Sequence, residues 1–224
     1  MNSIFQRALG RDFGRLHPEL RRRLGVGVAG GQACIGNGVM DRVWHGAPFT
    51  RPFLALGSRR NILVPETGRA VPFVIENYPY IDSHGRETVT FVRTFQLPRR
   101  PRRFDATMIY NSARGCVVDY LGTHQHLATD LLFEVDERGG LVIRSGEYRF
   151  REGPLAFRVP DLVTGAATVR ESFDDEIGRF RIDVRVVNHR CGPLFGYHGT
   201  FTTRYVPASG VPTTVKPRRE QARR

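Results

Sequence analysis

The stretch Arg179-Phe180-Arg181-Ile182-Asp183-Val184-Arg185-Val186-Val187 decides the fold. Phe180, Ile182, Val184 and Val186 alternate with Arg181, Asp183 and Arg185, and a period of two puts the first set on one face of a strand and the second on the other. From Val71 to Tyr205 the chain repeats this habit in runs rich in Val, Ile, Phe, Tyr and Thr. Turn signals separate the runs at Asp82-Ser83-His84-Gly85, Asn111-Ser112-Ala113-Arg114-Gly115, Asp136-Glu137-Arg138-Gly139-Gly140 and Asp174-Asp175-Glu176-Ile177-Gly178. The pattern predicts a first strand over 34–44, then hairpins pairing 71–81 with 86–97, 104–110 with 116–123, 129–135 with 141–150, 155–159 with 167–173 and 179–187 with 197–205. Curling such a meander buries one face and removes exposed edges. The expected fold is therefore mainly β, a long antiparallel meander closed into a barrel or strongly curved sheet.

Short helices precede it. Ser3 followed by Gln6 makes a capping box, and Phe5, Leu9, Phe13, Leu16, Leu20 and Leu24 step by three or four. Gly10, Gly14 and Pro18 interrupt the stripe, which gives helices over 3–10 and 17–24, with Pro18 starting the second and Gly25 stopping it. Their apolar side is expected to plug one end or side of the barrel. Between Pro48 and Asn61, Phe49, Phe53, Leu54 and Leu56 read as a short helix or an irregular lid, because Pro48 and Pro52 exclude a long helix. The expected domain spans 1–206, with a helical segment over 1–25, and 207–224 is expected to be a disordered basic tail because Pro, Thr, Ser, Gly and Arg replace apolar residues there.

At 224 residues the chain suits one domain with a core that needs no staple. Three cysteines, Cys34, Cys116 and Cys191, form neither a disulfide framework nor a zinc ribbon and read as reduced thiols. No stretch of the chain is apolar enough for a signal peptide or a membrane-spanning helix, and the expected location is the cytoplasm. The net charge of +12 is unevenly spread. Residues 1–25 carry six Arg against Asp12 and Glu19, residues 93–103 five Arg and no acid, and residues 207–224 five bases against Glu220, leaving the body nearly neutral. Arg99, Arg100, Arg102 and Arg103 are interleaved only with Pro98 and Pro101, without the aromatics that a nucleic-acid surface uses, so nucleic acid is not the expected partner.

Gly25-Val26-Gly27-Val28-Ala29-Gly30 matches a dinucleotide fingerprint in letters only, since a helix precedes it and a strand follows. His124 and His126 would share one face of an extended segment, where Asp130, Asp119 or His198 could complete a metal set. The pair lies where the chain turns after Gly122, and no metal or other cofactor is assigned. Polar residues inside strands are better pocket candidates, because a polar group on an apolar face needs a partner or a ligand. Glu76, Asn77, Tyr78 and Tyr80 fall in one such strand. Glu87 and Arg93 share parity with Val89, Phe91 and Phe95, while Glu147 and Arg149 share it with Leu141 and Ile143. An inward Glu87 or Glu147 paired with Arg93 or Arg149 would orient a polar ligand group. The ligand-binding set is Glu76, Tyr78, Glu87, Phe91, Arg93 and Glu147.

Four stretches carry a family resemblance: Ser3-Ile4-Phe5-Gln6-Arg7-Ala8-Leu9-Gly10, Leu16-His17-Pro18-Glu19-Leu20-Arg21-Arg22-Arg23, Gly38-Val39-Met40-Asp41 and Gly192-Pro193-Leu194-Phe195-Gly196-Tyr197-His198-Gly199. Over about Ser3 to Tyr205 the chain resembles the bacterial domain-of-unknown-function family 4166. The family has no established activity. Its occurrence fused to, or beside, short-chain or saccharopine-type reductases implies a reductase as a partner by association.

The expected function is binding of an apolar or amphipathic small molecule between the concave sheet and the helices. The alternatives are a cyclase or isomerase using Glu76, Glu87, Tyr78 or His124, and an interaction module accessory to a reductase. An inner face that is dry except for isolated acids favours the binder.

Overall fold

The computed structural model describes residues 2–160, 164–208 and 210–222, the side chains of Phe49 and Phe53 excepted. Helix α1 (Ile4–Leu9) starts at the capping box read from the sequence: the Gln6 amide donates to the Ser3 hydroxyl, and the Ser3 amide donates to Gln6 Oε1. Helix α2 (Pro18–Leu24) has Pro18 in its first turn and ends at Gly25. Helix α3 (Arg51–Ser58) fills the segment expected as helix or lid. The strands are β1 (Gln32–His45), β2 (Gly68–Asn77), β3 (Pro79–Ile81), β4 (Glu87–Gln96), β5 (Pro101–Asn111), β6 (Cys116–Leu121), β7 (Leu127–Val135), β8 (Leu141–Glu152), β9 (Leu155–Arg158), β10 (Ala166–Asp174), β11 (Arg179–Asn188) and β12 (Gly192–Pro207).

Ten of these strands close an antiparallel barrel in the order β10-β11-β12-β1-β2-β4-β5-β6-β7-β8, with β8 returning to β10; β3 and β9 pair outside the ring. The mainly β fold read from alternation is thus the fold observed. One pairing differs. Residues 155–159 and 167–173 do not form a hairpin, because β8 is long enough to serve two partners. Its first half, Leu141 to Arg144, pairs with β10 and closes the barrel, while Arg149 to Glu152 pair with β9. The two halves diverge and leave an opening in the wall beside α3.

Inside, Phe73, Phe95, Phe180, Tyr197 and Phe201 pack ring against ring, with centroids 5.2 Å apart for Phe73 and Phe95 and 5.0 Å for Phe95 and Tyr197. Each contributes about 1.5–3 kcal/mol by leaving water. Phe5 of α1 meets Phe91 and Phe133 edge-on, both at 5.8 Å, so the helical stripe plugs one end. At the other end Gly122, at φ +74, turns the chain under α3. A Cβ there would lie 2.5 Å from the Arg60 carbonyl, which accepts from the Thr123 amide at 3.0 Å.

The C-terminal segment also departs from expectation. Residues 210–222 dock on the barrel rather than trailing from it; Ser209, Arg223 and Arg224 lie outside the described residues. Val215 is buried, the Gln221 amide donates to Gln125 Oε1 at 2.8 Å, the Arg218 amide to the Thr123 carbonyl at 2.8 Å, and Arg86 reaches the Gln221 carbonyl at 2.6 Å. Arg86 also lies 5.8 Å from the ring centre of Tyr120, which belongs to a second apolar cluster with Ile109, Val118 and Ala128 on the opposite face of these strands from the barrel core. Backbone hydrogen bonds and one Val anchor a segment whose composition has no stripe, and composition alone misses that.

Deleting residues 209–224 should therefore lower the melting temperature by roughly 4–8 °C, the equivalent of about 2 kcal/mol for a chain of this size. A thermal melt of the truncated chain checks this; an unchanged midpoint would show that docking contributes nothing.

Candidate functional site

The barrel encloses a cavity of about 650 Å³. Its wall is built by inward positions of the alternating strands, among them Met108, Leu121, Leu131, Ile143, Ile182 and Val184. Phe5 and Leu24 from the two N-terminal helices close the deep end. The mouth lies between the end of α3 and the β8–β9 flap: Leu56, 64% exposed, faces the opening with Phe157 and Val159. Arg60 spans this rim to Glu152 through two hydrogen bonds of 3.0 Å, and Phe157 stacks on Phe150 at 5.0 Å.

Against this apolar lining stand a few buried polar groups. Arg23, on the last turn of α2, donates to Glu171 of β10 at 2.6 Å and to Asn77 at 3.2 Å, and Asn77 donates on to the Thr90 carbonyl. Burial pushes the Glu171 carboxyl up, and Arg23 and then Arg93 oppose that shift. Arg93, 7% exposed, makes no hydrogen bond or ion pair with any described residue, and its Nε is enclosed without a partner. Two ring faces flank it, Phe104 at 4.9 Å and Phe91 at 5.6 Å. Asp119 of β6, 8% exposed, likewise has no hydrogen-bond partner for Oδ1. Desolvation raises its carboxyl to about 7, with Arg93 the opposing charge. The Tyr197 hydroxyl is also without a partner, and burial lifts Tyr148 to about 12, so both remain neutral donors. Thr129, Ser145, Thr164 and His126 add to the polar lining.

Of the six ligand-binding residues read from the sequence, the structure brings Phe91 and Arg93 to the cavity and takes the other four elsewhere. Glu87 turns to the helices: it accepts from Arg7 at 2.8 Å and from the Val28 amide at 3.0 Å, tying the N-terminal segment to β4 rather than pairing with Arg93. Glu76 and Tyr78 lie on the outer side, in a shallow depression with Asn37, Thr94 and Arg204, because Ile75 and Asn77 take the inward positions of β2. Glu147 is exposed and paired with Arg158 at 2.7 Å. The cause is a bulge. Thr129 pairs with Tyr148 and Leu131 with Ser145, so Gly146 and Glu147 together face Asp130 and the parity of β8 inverts beyond them. Tyr148 consequently points inward where Glu147 and Arg149 were expected, and Arg149 pairs outside with Asp130 at 2.6 Å. His124 and His126 do not share a face, because Gln125 at φ 53 breaks the extended geometry. His126 lines the cavity against Phe150, and His124 stays outside it at 2.9 Å from Thr123 Oγ1.

Sequence reasoning missed Glu171 and Tyr148, and took Asp119 only as a metal ligand. For Asp119 and Glu171 the signal was present. Asp119 shares parity with Val117 and Leu121, and Glu171 with Val169 and Phe173, in each case a lone acid on an apolar face.

The molecule is thus a closed ten-stranded β-barrel protein with a mostly apolar internal cavity and unpartnered polar groups in its wall. It belongs to the family described as "Domain of unknown function (DUF4166)", whose model matches residues 16–201. It is 31% identical over 201 residues to the uncharacterized protein YndH of Bacillus subtilis (strain 168), a match covering 90% of this chain and 97% of that one. No solved structure matches.

The raised Asp119 carboxyl makes a sign-definite prediction. Its folded value of about 7 exceeds the ordinary 3.8, so its neutral form favours folding below about pH 4, and that advantage is lost as pH rises toward 7. Asp119→Asn, neutral throughout, should match the wild type near pH 4 and exceed its stability increasingly up to about pH 7, by an amount on the order of 3 kcal/mol, then level off. Melts at several pH values check this. A constant difference between the two proteins would mean that Asp119 is ordinarily solvated.

Proposed function

We propose that the protein binds one apolar or amphipathic small molecule inside the barrel. The observation that carries this reading is a cavity of about 650 Å³, apolar over most of its wall, with Arg93 and Asp119 set into it and bonded to no described residue. That volume falls within the range of small-molecule pockets, and a few convergent polar groups on an apolar wall are what orients a ligand in them. Leaving a guanidinium and a carboxyl unpaired in an apolar interior costs stability. A ligand that offsets this cost is the simplest reason for the arrangement. The rim of Leu56 and Phe157 offers an apolar way in.

A second reading, catalysis, has one observation in its favour. A carboxyl at about 7 in a dry site is suited to moving a proton at neutral pH, the chemistry of an isomerase or cyclase. Glu76, Glu87, Tyr78 and His124 do not line the cavity, so such an enzyme would work through Asp119, with Arg93 and Tyr148 as its neighbours in the wall.

An environment-sensitive apolar dye should bind the folded protein at one equivalent. Ala167→Trp, which places an indole into the cavity from β10, should weaken dye binding about ten-fold or more while leaving the melting temperature equal or higher. Arg181→Glu, on the outer face of β11, should leave binding unchanged. Absence of dye binding, or equal binding by both variants, would count against a ligand inside the barrel.

A further inference from the structure

We propose that the deep end of the cavity is a receptor for one carboxylate head group at the end of an apolar chain, with the Arg93 guanidinium as its cation and the chain running toward the mouth between α3 and β9. This deepens the binding reading above and rests on it.

The charges of the buried groups at this end do not cancel. Among the described residues, four charge-bearing side chains line this part of the wall: Arg23, Arg93, Glu171 and Asp119. Arg23 and Glu171 neutralise each other across 2.6 Å. Arg93 pairs with neither carboxyl, and at about pH 6, below its value of about 7, Asp119 is largely protonated. One positive charge is therefore left over in an apolar chamber, and a single anion balances it. A dianion such as a phosphate monoester would need a second free cation, and Arg23 is already held. The planar fork of a guanidinium matches the two oxygens of a carboxylate, which is the strong form of this bond. Two further groups suit an acceptor-only head: the protonated Asp119 and the unpartnered Tyr197 hydroxyl both donate. Phe91 and Phe104 fix the Arg93 plane, so the cation is held in place before the ligand arrives. Among the described residues, the rest of the wall from Met108 and Leu121 to Phe157 carries no ionised side chain until the mouth, where Arg60 and Glu152 satisfy each other and Arg59 is exposed to water.

The test uses laurate, methyl laurate and lauryl alcohol as competitors for a cavity-bound apolar dye. At about pH 6 laurate should displace the dye at about ten-fold or lower concentration than the ester or the alcohol, because only laurate carries the charge. Arg93→Met should remove that advantage while the ester still binds. Raising the pH from about 6 to 8 ionises Asp119 beside the bound head and should weaken laurate by about ten-fold, without affecting the ester. Arg23, Arg93, Glu171, Tyr148, Tyr197 and His126 also face this space, so the pH arm is repeated in Asp119→Asn, where the laurate profile should be flat. If the three competitors act alike in the wild type, or if laurate shows no pH dependence, the carboxylate site is wrong while the barrel remains a binder. If neither the dye nor any competitor binds, the binding reading itself fails. Should Arg93→Met not fold, the laurate-to-ester ratio and the Asp119→Asn profile decide alone.

Discussion

Ten strands enclose more space than their own inward side chains can fill, and the rest of this structure follows from that constraint. Eight strands make a barrel whose interior side chains just pack it. Adding two widens the ring, and the molecule meets the excess in two ways. An aromatic cluster of Phe73, Phe95, Phe180, Tyr197 and Phe201 occupies one sector, and Ile4, Phe5, Leu20 and Leu24 close one end from the N-terminal helices. What neither reaches is the cavity. Its mouth exists because β8 cannot serve β9 and β10 along its whole length, so the wall opens where the two pairings part.

The buried charges divide into those that tie elements together and those without a tie among the described residues. Glu87 with Arg7, and Glu171 with Arg23, each join a helix to a strand across the plugged end. Breaking either pair strands a charge in the interior, which is costly. Arg93 and Asp119 have no such tie among the described residues. They face a hollow lined with carbon, and at neutral pH burial leaves the Asp119 carboxyl close to half-protonated. Among the described residues neither group has a hydrogen-bond or ion-pair partner that would account for its burial.

Much of this was legible in the sequence, and the limits have physical causes. Strand alternation exposed the barrel because one dry and one wet face force a period of two, and the capping box of Ser3 and Gln6 located α1. The same alternation placed Phe91 and Arg93 inward. It failed for Glu147, since one extra residue opposite Asp130 inverts parity and leaves no mark in hydrophobicity beyond Gly146. It failed for the hairpin at 155–173 because pairing partners depend on closure, which is set by the whole ring and not by neighbours in the chain. The docked C-terminal segment was invisible for a third reason: its anchors are mostly backbone amides and carbonyls, which every composition carries.

The account stands on the claim that an amphiphile enters the barrel and does not merely coat its surface. Methyl NMR during a laurate titration tests that most directly. The account predicts that Leu121, Leu131, Ile143, Ile182 and Val184, which line the cavity, shift together and saturate at one equivalent, while the exposed Leu132, Ile177 and Val187 stay still. Shifts confined to the exposed methyls, or growing without saturation, would contradict it.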